Sequence, residues 1–143
     1  MDERRAMEAF STQFGMSWVE TPRGKPARVD GLLVKNGELN GVGEVKCRYD
    51  LTLQHFTNAF DMEWLVTLSK IEKCKEVAQG LQVPFIGFMF LADEGDNGLL
   101  LWKRLDQIEL ETRWTDSKKN CNGGHAHRLN AFIPMNQCRA IRL

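Results

Sequence analysis

The sequence has no long apolar run and no excess of charge of one sign. No stretch approaches the roughly 20 consecutive apolar residues of a membrane span, and the opening Met1-Asp2-Glu3-Arg4-Arg5 is unlike a signal sequence. Nineteen Lys and Arg balance nineteen Asp and Glu, so any affinity for nucleic acid has to come from local clustering of basic residues. We therefore expect a cytoplasmic protein without membrane contact.

Paired cysteines and common catalytic motifs are also missing. Cys47, Cys74, Cys121 and Cys138 are irregularly spaced in a chain of 143 residues, which is long enough to bury a core without disulfides. The sequence contains no glycine-rich phosphate loop and no Ser-His-Asp arrangement. Hydrophobic residues at 43% and charged residues at 27%, without repeats or linkers, predict one globular domain over residues 1–143.

Residue patterns predict a mixture of helices and strands along the chain. The predicted elements are helices at 2–14 and 69–79, a β-hairpin of 27–35 with 41–48, a strand buried on both faces at 83–91, further strands at 99–105 and 107–114, a loop at 116–124, and one more strand within 127–141. This order predicts an α/β fold with a central mixed β-sheet flanked by helices.

Three charged residues stand out on the predicted hairpin. Asp30 lies on its first strand, and Glu44 and Lys46 lie on its second strand, where alternation puts both on one face. A three-residue loop would set Asp30 directly opposite Glu44, whereas a two-residue Asn36-Gly37 loop would put them on opposite faces. A site built from both carboxylates therefore requires the longer loop or a bulge.

Two carboxylates on a shared face would lie within about 5 Å of each other, a separation that like charges resist unless a cation lies between them. Magnesium suits such a site, because it takes one or two carboxylates together with waters and phosphate oxygens. Lys46 could orient an attacking water, lower its pKa, or stabilise charge on a phosphate. The alternative is a surface hairpin whose Asp30, Glu44 and Lys46 form cross-strand ion pairs worth about 0.2 to 1 kcal/mol.

The arrangement resembles the PD-(D/E)XK nuclease superfamily, whose core is a helix, a hairpin bearing Asp and Glu-x-Lys, a helix and a strand. The motif here reads Val29-Asp30-Gly31 and Gly43-Glu44-Val45-Lys46-Cys47-Arg48. The stretch from Ser69 to Phe88 also looks like the next helix and strand of phage endonucleases and Holliday junction resolvases, so the likeness covers residues 1–105. Val29 replaces the usual proline, and the segment before Ser69 is longer than the minimal core.

The resemblance implies a restriction-endonuclease-like core and a magnesium-dependent DNA endonuclease, with manganese as a substitute, acting on phosphodiester bonds such as those of Holliday-junction or other branched DNA. Asp30 and Glu44 would hold the metal, the Val45 carbonyl would complete its shell, and Lys46 would assist hydrolysis.

Resolvase-like members of the superfamily also carry a glutamate on the first helix that contacts the metal or its water. Two residues of this chain could match it. At 100° per residue Glu3 falls on the inward stripe of the helix, whereas Glu8 points away, so Glu3 is preferred. Its alternative role is an acidic residue favoured by the helix dipole.

The expected partner is DNA. By resemblance, Ser69 and Lys70 begin the second helix, where a helix N-terminus and a cation suit a phosphate, and Arg28 and Arg48 belong to a basic cluster in the first third of the chain. Junction resolvases act as dimers, which implies a homodimer. A phage origin would place the protein in the host cytoplasm.

Two other classes of function compete with the nuclease. One is a catalytically inactive nucleic-acid-binding domain of the same fold. The other is a zinc-supported interaction module built from Cys121, His125 and His127, with Cys138 farther along the chain. The paired Cys-x-x-Cys that makes a zinc module convincing is missing here.

Overall fold

The computed structural model describes residues 3–22, 24, 27–48, 63–92, 98–117 and 126–143. Within these ranges the elements, in chain order, are α1 (Glu3–Phe14), β1 (Ser17–Glu20), β2 (Gly31–Lys35), β3 (Glu38–Arg48), β4 (Glu63–Thr67), α2 (Leu68–Leu81), β5 (Phe85–Ala92), β6 (Gly98–Arg104), β7 (Glu111–Ser117), β8 (Ala126–Pro134), a 3-10 turn (Met135–Gln137) and β9 (Arg139–Arg142). No helix of this part of the chain is both long enough and apolar enough to cross a bilayer.

A six-stranded mixed sheet forms the centre, in the order β1-β2-β3-β5-β6-β9. Strands β3 and β5 pair in parallel, and the other neighbours pair antiparallel. The parallel pairing requires a crossover connection, and α2 lies in the chain segment between these two strands. The apolar run of β5 is buried on both faces, as its sequence predicts for a central strand.

Each face of the central sheet has its own hydrophobic cluster. On one face, Met7 and Phe10 of α1 pack with Val45 of β3 and with Phe88 and Phe90 of β5. On the other face, α2 contributes the buried residues Ile71, Cys74 and Ala78. Because β3 lies between the two clusters, side chains that alternate along it enter different environments. Glu44 and Lys46 lie on the α2 face.

A smaller antiparallel sheet, β4-β8-β7, covers part of the α2 face. Its inner side chains Trp64, Val66, Ala131 and Ile133 are buried in the same cluster as α2. The sequence patterns did not predict this second sheet. The apolar segment from Leu53 to Leu68 favours a helix, whereas its residues Trp64 and Leu65 belong to strand β4. The single strand expected within 127–141 is in fact two strands, β8 and β9.

The β2–β3 hairpin combines a two-residue turn with a bulge. Asn36 and Gly37 form a two-residue turn with positive φ angles of 52° and 78°, as a hairpin turn of the primed type requires. Farther along, Leu33 pairs with Gly41 and Val34 with Leu39, so the residue between them, Asn40, is a bulge. The bulge shifts the register by one residue and thereby reverses the effect of the short turn.

Several predicted boundaries were wrong. The first hairpin strand begins at Gly31 and not at 27, and Asp30 lies in a bend just before it. The strand expected at 107–114 occupies Glu111–Ser117, so Asp116 and Ser117 of the predicted loop at 116–124 belong to a strand, and the rest of that predicted loop lies outside the described residues. Local patterns leave strand ends uncertain, because pairing with a neighbour decides where a strand stops.

Candidate active site

Asp30 lies opposite Glu44, because the bulged register pairs Gly31 with Gly43. The Asp30 amide donates to the Gly43 carbonyl at 2.9 Å. Its carboxylate Oδ2 accepts a bond from the Val45 amide at 2.8 Å, and so takes the place of a strand residue beyond the end of β2. The N–H and C=O of one strand residue point to the same side, so the Val45 carbonyl also faces the side of Asp30.

A tryptophan supports this part of the hairpin from the opposite face of the sheet. The indole of Trp18 lies over Gly31 and Gly43, so closely that a Cβ on Gly43 would sit 2.8 Å from the ring and one on Gly31 would be closer still. Only glycine leaves room for the ring here. Because these glycines adjoin Asp30 and Glu44, the packing of Trp18 fixes the backbone that carries both carboxylates.

Glu44 is a buried carboxyl group, only 5% exposed. Its pKa is raised to about 8, mainly by burial and in part by the nearby Asp30 carboxyl group, while Lys70 opposes the shift. Its Oε1 accepts from the Lys70 ammonium at 2.6 Å, whereas its buried Oε2 has no hydrogen-bond partner among the described residues. Alternation along β3 places Glu44 on the α2 face but does not predict that this charged side chain is buried in the core.

Helix α2 carries the cation that meets Glu44. Lys70 stands in its first turn, and Cys74, one turn later, donates from Sγ to the Arg28 carbonyl at 3.2 Å. Burial lowers the pKa of Lys70, but the hydrogen bond and charge of Glu44 outweigh it, and the net shift is upward. Burial and the charge of Glu44 raise the pKa of Cys74 to about 12, so this thiol stays protonated and anchors the segment before Asp30 to the helix.

Lys46 lies two residues after Glu44 on the same face of β3. Its ammonium donates to the Leu65 carbonyl of β4 at 2.8 Å. The second sheet thus fixes the position of this cation. The structure therefore brings Asp30, Glu44 and Lys46 together on one face, with Lys70 as a fourth charged group that sequence reasoning placed only at a phosphate.

Glu3 is partly buried, while Glu8 is exposed. A cavity of about 180 Å³ is lined by Glu3 and Asp30 together with Glu20 of β1. No motif or spacing in the sequence singled out Glu20. Among the described residues no group of three or more His, Cys, Asp or Glu side chains is close enough to hold a metal ion.

A second, larger cavity of about 780 Å³ lies on the other side of Lys70. Its lining consists of Ala27, Arg28, Thr67, Ser69, Lys70, Lys73 and Arg128. The structure thus brings together three residues expected to contact DNA, Arg28, Ser69 and Lys70, and adds Lys73 and Arg128, which sequence reasoning missed. Arg128 reaches this place through the second sheet, a long-range arrangement that no local pattern reveals.

Other predicted residues have different outcomes. Arg48 ends β3, and its side chain lies outside the described part of the structure. Arg28 forms an exposed ion pair with Glu76 at 2.7 Å, and it would have to leave this pair to contact a phosphate with the same nitrogen.

The proposed zinc ligands are only partly described, since Cys121 and His125 lie outside the described residues. His127 stands near the start of β8, where its Nδ1 is 2.8 Å from Asp116 and its ring stacks on Trp114. Cys138 bonds to the Pro134 carbonyl at the other end of β8. At about 3.3 Å per residue the strand separates the two by roughly 20 Å, so they cannot ligate the same ion.

The residues around Asp30 and Glu44 fit a hard divalent cation. Two carboxyl groups within hydrogen-bonding reach resist being ionised together, and Glu44 Oε2 is a buried acceptor that receives no donor from the described residues. A cation between them would satisfy this oxygen and relieve the repulsion. Asp30, Glu44 and the Val45 carbonyl would hold it, leaving the remaining ligand positions to water and phosphate, as magnesium prefers.

The central mixed sheet with helices on its faces has the fold of a Holliday junction resolvase nuclease. Specifically, the chain is similar to the solved structure of Hjc, a Holliday junction resolvase from the archaeal hyperthermophile Archaeoglobus fulgidus. The TM-score is 0.53 at 12% sequence identity, over 92% of this chain and 88% of that one. The match confirms the predicted fold class. No protein-family model matches the chain, and no curated protein matches it.

Proposed function

We propose that the protein is a magnesium-dependent DNA endonuclease whose active site is formed by Asp30, Glu44, Val45 and Lys46. The observation that carries the proposal is the pairing of the Asp30 and Glu44 carboxyl groups, one of them buried, on a resolvase fold. A buried acidic pair costs folding free energy. Its presence beside a cavity lined by basic residues is therefore explained better by function than by stability.

Each residue of the site has a distinct task in this proposal. Asp30 and Glu44 hold the cation, and Asp30 also fixes the Val45 backbone through the bond to its amide. When bound, magnesium would polarise the scissile phosphate and lower the pKa of a water molecule. Lys46, positioned by the Leu65 carbonyl, would stabilise negative charge that develops on the phosphate. Glu3, on the far side of Asp30, would orient a water molecule at the entrance of the smaller cavity.

Cleavage assays with and without magnesium test the proposal. Labelled duplex, flap, single-stranded and four-way-junction DNA would be incubated with protein in Mg²⁺, in Mn²⁺ or in chelator. Cleavage is expected only with the divalent ions, and Glu44→Gln and Lys46→Met should each lower its rate at least about a hundredfold. Glu72→Gln, an exposed carboxylate on α2, serves as the matched control. Full magnesium-dependent activity in both site variants would refute the assignment.

We extend the proposal to branched DNA as the preferred substrate and to a homodimer as the active form. The support is the similarity to a Holliday junction resolvase, because resolution of a four-way junction needs two cuts. Sedimentation velocity with and without junction DNA would measure the assembly. Monomers that cut linear duplex as fast as junctions would contradict both extensions.

An inactive nucleic-acid-binding domain is the second candidate. The basic cavity formed by Arg28, Lys70, Lys73 and Arg128 needs no metal to attract a phosphate backbone. Tight DNA binding in chelator, without cleavage of any substrate in Mg²⁺ or Mn²⁺, would favour this candidate over the nuclease.

A further inference from the structure

Lys70 contacts two different sites. Its ammonium lies 2.6 Å from Glu44 Oε1, where it pairs with a buried carboxyl group. The same residue lines the larger cavity together with Arg28, Lys73 and Arg128. Its side chain is 46% exposed, so the flexible stem can turn from one site to the other without repacking the core.

The larger cavity has the chemistry of a site for phosphodiester groups. Its charged lining residues are all cationic, and the polar ones, Thr67 and Ser69, are hydroxyl donors. The first turn of α2 contains no acidic residue that would repel an anion. An ammonium group that left Glu44 would therefore find a phosphate of bound DNA as its nearest alternative counter-ion.

We propose that Lys70 is an exchangeable partner of Glu44, which pairs with this residue in the metal-free protein and transfers to a DNA phosphate in the larger cavity when a divalent cation binds to Asp30 and Glu44. The inference rests on the proposed function, since it uses the same metal site. Lys70 holds Glu44 Oε1, and a divalent cation on Oε2 of the same carboxyl group would lie so close to the ammonium that the two positive charges repel each other. Release of Lys70 from Glu44 adds one cation to the larger cavity, where DNA would bind.

The exchange couples the two ligands thermodynamically. If the metal frees Lys70 for DNA, it tightens DNA binding, and by linkage DNA tightens metal binding by the same factor. A coupling of about fivefold to a hundredfold is typical for such linked sites. Without Lys70 the competition for Glu44 disappears, and so does the coupling.

Manganese affinity, read by electron paramagnetic resonance of the free Mn²⁺ signal, tests the exchange without relying on activity. All proteins would carry Lys46→Met so that DNA stays uncut under the proposal. Lys70→Met should bind Mn²⁺ several-fold more tightly than its parent. Lys73→Met, which changes a lysine three residues later on α2 in the same cavity, should not. A duplex oligonucleotide should tighten Mn²⁺ binding in the parent and in Lys73→Met, but not in Lys70→Met.

Further variants keep the test decisive. Lys70→Gln retains a hydrogen-bond donor toward Glu44 without the charge. If Lys70→Met folds poorly, Lys70→Gln takes its place in the test, and the same results are expected. Mn²⁺ binding that depends on Glu44 but has equal affinity and equal coupling to DNA with and without Lys70 overturns the exchange and leaves the nuclease proposal standing. If Glu44→Gln binds Mn²⁺ as tightly as its parent, both the exchange and the nuclease proposal are overturned.

Discussion

Replacing Glu44 with glutamine should stabilise the protein at alkaline pH while removing its metal site. The carboxyl group is buried, and burial raises its pKa from 4.5 to about 8. The folded protein therefore holds a proton that the unfolded chain releases. Glutamine has nearly the same shape and cannot ionise, so the variant avoids the cost of a buried charge.

The sign and size of the effect follow from linkage. A pKa that is raised in the folded state contributes stability that is fully present below the unfolded pKa of 4.5 and is lost as the pH rises through about 8. The wild type should thus lose stability relative to Glu44→Gln across this window. The difference between the two pKa values corresponds to about 5 kcal/mol as an upper limit. The flexible side chain of Lys70 can adjust toward the ionised Glu44 and lower the cost of its charge, so the expected gain in the free energy of unfolding is a few kcal/mol.

Urea unfolding at pH 5 and at pH 9, followed by circular dichroism in chelator, measures the effect. The stability difference between Glu44→Gln and wild type should grow by a few kcal/mol from the lower to the higher pH. The exposed Glu72→Gln control should show no such growth. Equal differences at the two pH values, or a variant that becomes relatively less stable at pH 9, would refute the reasoning.

Two further predictions concern the packing behind the site and the basic cavity. Gly43→Ala should destabilise the protein by about 1 to 3 kcal/mol in thermal or urea unfolding, because its methyl group would press against Trp18. Gly80→Ala, where a methyl group meets open space on α2, should stabilise the protein by up to about 1 kcal/mol. If Gly43→Ala were the more stable of the two variants, the packing of Trp18 described here would be contradicted. Lys73→Met and Arg128→Met should each weaken DNA binding in fluorescence anisotropy and reduce its salt dependence by about one phosphate contact, whereas unchanged salt slopes would show that DNA does not enter this cavity.

Much of the fold could be predicted from the sequence, because its elements have strong local signals. The stripe of Met7 and Phe10 marks α1, and the apolar run of β5 marks a central strand. The second sheet could not be predicted in this way. Strands β4 and β8 are held by pairing between residues such as Trp64 and Ile133, which are far apart in sequence and carry no local mark of being partners.

The site shows the same division between local and long-range information. Alternation along β3 correctly put Glu44 and Lys46 on one face, and the requirement for a bulge or a longer loop was a real constraint, met by Asn40. The burial of Glu44 and its ion pair with Lys70 could not be foreseen. Both depend on how α2 packs over β3, a tertiary contact that spacing along the chain does not encode.

The central claim is that Asp30 and Glu44 share one divalent cation. Anomalous diffraction from a crystal soaked in Mn²⁺ would test it most directly. The account predicts a single strong anomalous peak within coordination distance of both carboxylates and the Val45 carbonyl, absent from Glu44→Gln crystals. A peak that lies beyond coordination distance of these groups, or one that persists unchanged in Glu44→Gln crystals, would contradict it.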